Sequence, residues 1–304
     1  MHDFTYYAQI LISGLTIGSL YALIAIGYTM VYGILRLINF AHGDMFMVAG
    51  FIMIYITSWS SGFLGAGSIA VGLILTLILT VVLGVMIEKV AYKPLRSAPR
   101  MSVMISAIGV SYLLQNLSTY VTGGLAQAYP NIPWLRTEIE IGGITVRRLA
   151  ILTPVLTILL VIALVIVIKH TKMGMAMRAV AKDFDTAQLM GIRIDRVISI
   201  TFVIGSFLAA VGSILYFSYI GQVSPTIGAM PGLKSFVAAV FGGIGSVQPK
   251  KSMFCFQTLM SSQPHVNSVY SSPHHAVNCA IASRNVGASA SSSAPSCVIL
   301  RMRG

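Results

Sequence analysis

Long runs without a single charged residue divide this chain, and they constrain its fold more than any other feature. The first run lies between Asp3 and Arg36, and a second, long enough for two spans, lies between Asp44 and Glu88. A helix needs about 20 apolar residues to cross the hydrocarbon core of a bilayer. The runs therefore predict helices that span a membrane, and they argue against the buried helices of a large soluble protein.

The pattern predicts six spans and a fragment of a seventh. Their apolar bodies are Gln9–Leu35, two spans within Asp44–Glu88 separated at Ser58–Gly62, Ser102–Thr122, Leu149–Ile168, Val197–Ile220 and the short Ser235–Val247. We therefore predict an all-α fold class, a polytopic transmembrane helix bundle, over residues 1–247. Residues 248–304 differ from this domain in composition and form a separate segment.

The charge distribution is typical of a membrane protein and argues against a soluble enzyme or a nucleic-acid-binding protein. Only 9% of the residues are charged, against about 25% in soluble domains. The net charge of +12 arises mainly from basic residues in the short breaks between apolar runs. Four of them lie in residues 89–100 and six in residues 169–196, and the positive-inside rule places both loops in the cytoplasm. Counting back along the spans then places the N-terminus outside.

The loop at residues 169–196 contains a segment that we predict to be one helix, Met175–Gly191. Its Ala and Met residues favour a helix, and Gly191 is a usual C-terminal residue. Val180, Phe184 and Ala187 fall with Gly191 on one small, apolar stripe. Such a helix could dock into a groove of a partner protein, or it could rest on its own bundle as a connector.

Polar residues within or beside the predicted spans are candidates for a translocation path. Asn39 and His42 precede the second span, and Gln115 and Asn116 lie in the fourth. Because unpaired polar groups are expensive in hydrocarbon, we expect these side chains to face a partly hydrated interior. For the residues before the second span, the alternative is a helix break that Asn39 and Asp44 cap. For Gln115 and Asn116, the alternative is a packing role between helices. His42 has no neighbouring metal ligand in the sequence, so we predict no metal site.

Several motifs resemble a known family. Asp185–Gly191 resembles the E-A-A-x-x-x-G signature of ABC importer permeases, with Asp for Glu and Thr for the first Ala. Ala22–Gly33, Ile38–Gly43, Glu88–Arg96 and Gly191–Arg196 are similar to segments of branched-chain amino acid permeases. The resemblance covers roughly residues 5–247 in order. Related permeases for urea or short amides share much of this pattern.

The resemblance implies a subunit of an ATP-driven importer in the inner (plasma) membrane. Its implied partners are a second homologous permease, two cytoplasmic ATPase subunits and a periplasmic or tethered amino-acid-binding protein. The docking helix, with Phe184, Asp185, Ala187 and Gly191, would then contact an ATPase. The segment Gly228–Ser235 misses the Walker A pattern, since Leu233 separates its glycine from the lysine. We therefore expect no enzymatic activity and no cofactor in this chain; a self-sufficient channel or secondary carrier is the alternative.

Residues 248–304 form an atypical tail that contains Ser, Cys and His. All three cysteines (Cys255, Cys279 and Cys297) lie here, acidic residues are absent, and no apolar span follows. We interpret the tail as the product of a reading-frame shift near Val247, which would also explain the interrupted seventh span. A natural Ser-rich tail and a Cys/His metal site are the alternatives, although the cysteines lack the close pairing of a zinc module.

Overall fold

The computed structural model describes residues 2–35, 39–95, 98–141 and 144–243. The tail at 248–304 and the frameshift predicted near Val247 lie outside the described residues. Six helices are long, namely α1 (His2–Leu35), α2 (Ala41–Leu64), α3 (Ser68–Ile87), α4 (Arg100–Thr122), α6 (Arg148–His170) and α9 (Ile194–Ile220). Each of the six is long and apolar enough to cross a membrane. The predicted all-α polytopic bundle is therefore confirmed.

Short elements connect the long helices. The helices among them are α5 (Pro133–Arg136), α7 (Lys172–Lys182), α8 (Phe184–Leu189) and α10 (Ala229–Gly243). Strands β1 (Gln127–Ala128) and β4 (Gln222–Val223) pair antiparallel, as do β2 (Glu138–Ile141) and β3 (Ile144–Arg147). Within the described ranges these two small sheets are the only strands, and they lie outside the long helices.

The break between the second and third spans differs from the prediction. Helix α2 continues through Ser58–Gly62 to Leu64, and a 3₁₀ turn at Gly65–Gly67 leads into α3. The hydroxyls of Ser60 and Ser61 donate to carbonyls of the preceding turn, at 2.8 Å and 2.7 Å, so these serines stay within the helix. The chain turns instead at Gly65, whose φ of +52° suits glycine.

The short seventh helix also begins earlier than predicted, at Ala229 rather than Ser235. Pro231 lies in its first turn, where a backbone N–H has no helical partner to lose. The end of the predicted fragment, beyond residue 243, lies outside the described part of the chain.

Helix α3 shows how the bundle packs. Its buried side carries small residues at every fourth position, namely Ser68, Gly72, Thr76, Thr80 and Gly84. Its large aliphatic residues, among them Ile74, Ile78, Val82 and Met86, are exposed. This arrangement suits a bilayer, because small residues let helices approach closely while aliphatic side chains face lipid. Helices α1 and α9, with more of their apolar windows buried, occupy the middle of the bundle.

A polar cluster joins the end of α3 to the start of α9. The helix continues beyond Ile87 as a π-helical turn over Glu88–Tyr92. Ser199 donates to the buried Glu88 carboxylate at 3.0 Å, and Lys93 and Asp195 form an exposed ion pair at 3.6 Å. These contacts hold the residues of the two predicted cytoplasmic loops together.

Candidate functional site

A carboxylate lies inside the bundle, in the first turn of α2. Asp44 is 2% exposed. Its Oδ1 accepts a hydrogen bond from Gln115 Nε2 at 3.0 Å, and its Oδ2 accepts one from the Ser111 hydroxyl. Both donors are neutral and belong to α4. Within the described ranges no Lys, Arg or His forms an ion pair with this carboxylate.

A cavity of about 240 Å³ lies beside Asp44. Helices α1, α2, α4 and α10 form its walls, together with Phe40 and the turn before α10. The polar lining groups are Tyr28, Asp44, Ser111 and Gln115, and the remaining lining residues are Phe40, Gly43, Gly228, Ala229, Gly232, Leu233 and Phe236. The cavity therefore has one strongly polar corner and otherwise apolar walls, as small-molecule sites commonly have.

Glycines bring the cavity walls together. A Cβ on Gly43 would lie 2.8 Å from the Gly228 carbonyl oxygen, and a Cβ on Gly228 would lie 2.5 Å from the Gly43 carbonyl oxygen. The backbone N–H of Gly43 donates to the Tyr28 hydroxyl at 3.1 Å. Backbones of α2 and of the turn before α10 thus touch directly, and any larger side chain would separate them.

Two predicted path residues, Asn39 and His42, are buried near this cavity. Asn39 Oδ1 accepts a hydrogen bond from the Tyr92 hydroxyl at 2.8 Å. The ring of His42 packs edge-on against Tyr28, with 4.7 Å between centroids. In the part of the chain that the structure describes, Asn39 Nδ2 and His42 Nε2 have no hydrogen-bond partner. No side-chain hydrogen bond caps α2, so the alternative of a capped helix break is wrong.

The other two predicted path residues differ from each other. Gln115 lines the cavity and binds Asp44. Asn116 is exposed, and its Nδ2 donates to the Tyr112 carbonyl of its own helix at 2.8 Å. The structure therefore brings Gln115 to the cavity and leaves Asn116 on the outer surface of α4. Sequence reasoning missed Asp44 as a lining residue, although an acid in the first turn of a span is itself a signal.

The predicted docking helix is two helices. Helix α7 ends at Lys182, and α8 begins at Phe184. The prediction of one continuous helix was wrong because Asp183 adopts an extended backbone conformation and accepts a hydrogen bond from the Asp185 N–H at 3.2 Å. A side chain that caps a new helix in this way competes with continuation of the old one.

The apolar stripe of this segment faces its own bundle. Val180 and Ala187 are buried in the core, and Phe184 packs against it. Gly191 ends the segment as predicted, with a φ of +79°. Asp185 and Gly191 are exposed, and so are Leu189 and Met190, at 87% and 79%. The exposed surface of this segment is therefore formed by residues 185, 186 and 188–191, and Ala187 is buried beneath it.

Titratable groups do not cluster like metal ligands in the part of the chain described. No group of three or more His, Cys, Asp or Glu side chains there could hold a metal ion. The cysteines of the tail lie outside these residues.

Comparisons with known proteins give one consistent result. A family described as the permease component of branched-chain amino acid transport systems matches residues 10–249. The LivH proteins of Salmonella typhimurium and Escherichia coli K12, named high-affinity branched-chain amino acid transport system permease proteins, are each 41% identical over 261 residues, 81% of this chain and 82% of the relative. BraD of Pseudomonas aeruginosa, which bears the same description, is 40% identical over 254 residues, with the same coverage. No solved structure gives a significant match.

Proposed function

The chain belongs to the family of permease components of branched-chain amino acid transport systems, and from this premise we propose that it is the membrane-spanning subunit of a binding-protein-dependent ABC importer. The importer moves branched-chain aliphatic amino acids into the cytoplasm. Separate subunits hydrolyse ATP. The chain is a multi-pass protein of the inner membrane, since it combines six apolar helices with relatives of this family.

The identity to LivH supports this substrate class more than any other observation. It extends over 81% of the chain, and the family match at residues 10–249 includes all but the first residues of the helix bundle. The fructose import permease FrcC of Rhizobium meliloti, by contrast, is 32% identical over 90 residues, 30% of this chain. A permease for urea or short amides is the alternative within the same fold.

The loop between α6 and α9 supports dependence on a separate ATPase. Leu189 and Met190 project from the end of α8, where two large apolar side chains are otherwise costly in water. The segment is anchored to the bundle through Val180 and Ala187. A partner that binds residues 185–191 would therefore transmit its movement to α9, which begins at Ile194. With the N-terminus outside, this segment faces the cytoplasm, where the ATPase subunits lie.

The polar interior supports a translocation path on one side of the bundle. Gln115 lines the cavity with Asp44, and the buried His42 packs against the lining residue Tyr28. We propose that these residues and the buried Asn39 line this path. Asn116 belongs to the same predicted set, and its place on the outer surface of α4 gives it a contact with lipid or with the second permease subunit.

Uptake measurements test the function. The chain would be expressed together with a second permease, an ATPase and a binding protein of the same importer class, in bacteria lacking their own branched-chain amino acid uptake. We expect uptake of radiolabelled leucine that isoleucine and valine inhibit, and that stops when the Walker A lysine of the ATPase is replaced. Uptake that persists without the ATPase would instead indicate a channel or secondary carrier. Inhibition by urea or acetamide, without effect of valine, would indicate the alternative substrate class.

Crosslinking tests the docking surface. Cys255, Cys279 and Cys297 would be replaced by Ser, and a single cysteine introduced as Leu189→Cys. We expect a crosslink to the ATPase subunit in the assembled complex. Leu125→Cys is the matched control, since Leu125 is 70% exposed but follows α4, on the side of the membrane opposite to the loop. Absence of any crosslink along residues 184–191 would refute the docking proposal.

A further inference from the structure

Asp44 lacks the partner that a carboxylate at this depth requires. An ionised carboxylate offers about four acceptor positions, and Asp44 receives one hydrogen bond on each oxygen, both from neutral groups. Charged groups inside transmembrane segments are paired, and they usually mark the path of a substrate or an ion. No cation pairs with Asp44 among the described residues. The protein therefore presents a buried carboxyl group to a cavity with no cationic partner among the described residues.

The rest of the cavity suits an aliphatic amino acid. Phe40, Leu233 and Phe236 supply apolar walls. The Tyr28 hydroxyl also lines the cavity; it accepts from the Gly43 N–H, and no described residue accepts its proton, so it can donate to a ligand carboxylate. The volume of about 240 Å³ lies below the roughly 300 Å³ at which pockets for drug-sized ligands begin. It admits one small molecule.

We infer that the cavity beside Asp44 is a substrate site within the permease, in which Asp44 binds the α-ammonium group of the amino acid. Tyr28 faces the α-carboxylate, and the apolar walls hold the branched side chain. The identity of the ligand as a branched-chain amino acid rests on the proposed function. The pairing of Asp44 with an ammonium group rests on the geometry alone.

Access to the site is from α10. The lining residues Ala229 and Leu233 are exposed, with Leu233 at 57%, while Asp44 is 2% exposed. A ligand therefore enters beside α10 and reaches the Asp44 carboxylate after passing Ala229 and Leu233. A cysteine at position 229 would sit at this entrance and report its occupancy.

A labelling experiment tests the site. Ala229→Cys would be introduced into the chain with Cys255, Cys279 and Cys297 replaced by Ser, in the assembled importer. The rate of reaction with a small aqueous thiol reagent would be measured with leucine, with 3-methylbutylamine, which keeps the ammonium group, and with 4-methylpentanoate, which lacks it. We expect leucine and the amine to slow labelling and 4-methylpentanoate to leave it unchanged.

Substitution of the carboxylate completes the test. Asp44→Asn keeps the shape but removes the carboxylate, and its Nδ2 cannot accept one of the two hydrogen bonds that the Asp44 oxygens accept. We expect the concentration of leucine needed for protection to rise by about 30-fold or more. Asp195→Asn is the matched control, because it removes an exposed charge from the ion pair with Lys93 at the start of α9. It should leave protection by leucine unchanged.

Three results of the labelling experiment would overturn the inference. They are equal protection by 4-methylpentanoate, protection that survives Asp44→Asn at the same leucine concentration, and no protection by any of the three compounds. Failure of Asp44→Asn to assemble with the second permease would also overturn it, since the missing cation would then belong to that subunit. The uptake assay tests the proposed function separately. If the wild-type importer does not transport leucine but 3-methylbutylamine slows labelling at position 229, the proposed function is refuted and the site is supported.

Discussion

Substitution of Gly84 tests whether close packing of α3 against α9 stabilises the bundle. A Cβ at this position would lie 1.7 Å from the Ser206 hydroxyl oxygen and 2.7 Å from the Ser206 Cβ. Rotation of the hydroxyl would relieve only the first contact, and it would break the hydrogen bond to the Phe202 carbonyl at 2.7 Å. Overpacking costs about 1–3 kcal/mol of unfolding free energy, and a buried hydroxyl without its hydrogen bond costs a similar amount. The higher helix propensity of Ala offsets about 1 kcal/mol of this loss. We expect Gly84→Ala to lose about 2–4 kcal/mol of unfolding free energy.

A double-mutant cycle makes this prediction specific. Ser206→Gly removes the two nearest atoms, and the third nearest is the flexible end of Met45, at 3.0 Å. The double variant should therefore recover about 2 kcal/mol relative to additivity. Gly109→Ala is the control, since nothing lies within 4 Å of a Cβ there. Unfolding free energies would be measured by SDS titration in mixed micelles. The reasoning fails if Gly84→Ala is as stable as Gly109→Ala, or if the coupling is below about 0.5 kcal/mol.

The buried Asn39 amide, the two faces of α4 and the C-terminal tail can each be tested by a separate experiment. Tyr92→Phe removes the donor to the buried Asn39 amide and should cost about 1–3 kcal/mol in the same SDS titration; an unchanged midpoint would show that water or another group replaces it. Gln115→Cys should react with aqueous thiol reagents while Asn116→Cys, on the outer surface, should be protected; the reverse order would refute the placement of the cavity. Resequencing across the codons for Gly245–Lys251 should reveal a one- or two-base shift, and its correction should restore an apolar C-terminal span and raise leucine uptake; an unaltered DNA sequence with full uptake by the 304-residue chain would refute the frameshift.

The cytoplasmic loop shows one limit of sequence reasoning. Composition and spacing predicted a helix that ends at Gly191, and the end is correct because only a glycine adopts its φ of +79° easily. The break at Asp183 was missed. The break is caused by a local hydrogen bond that the Asp183 side chain accepts from the Asp185 N–H. The sequence of a polar segment does not show which backbone group an acidic side chain will bind.

The path residues show a second limit. Gln115 and Asn116 are adjacent amides in one helix, and they predict the same function from sequence. Successive residues of a helix point about 100° apart, so one of them reaches Asp44 and the other does not. The orientation of α4 about its own axis decides between them, and that orientation depends on packing.

What the sequence determined by itself was the number and nature of the spans. A bilayer demands about 20 apolar residues in succession and satisfaction of every backbone group within the segment, so the requirement is local and can be read from consecutive residues. The tertiary structure alone decided which polar groups meet: it set Asp44 of α2 against Ser111 and Gln115 of α4 and left a cavity between them and α10. Those contacts join residues far apart in the chain, and they depend on how closely small residues let the helices approach, which no single span encodes.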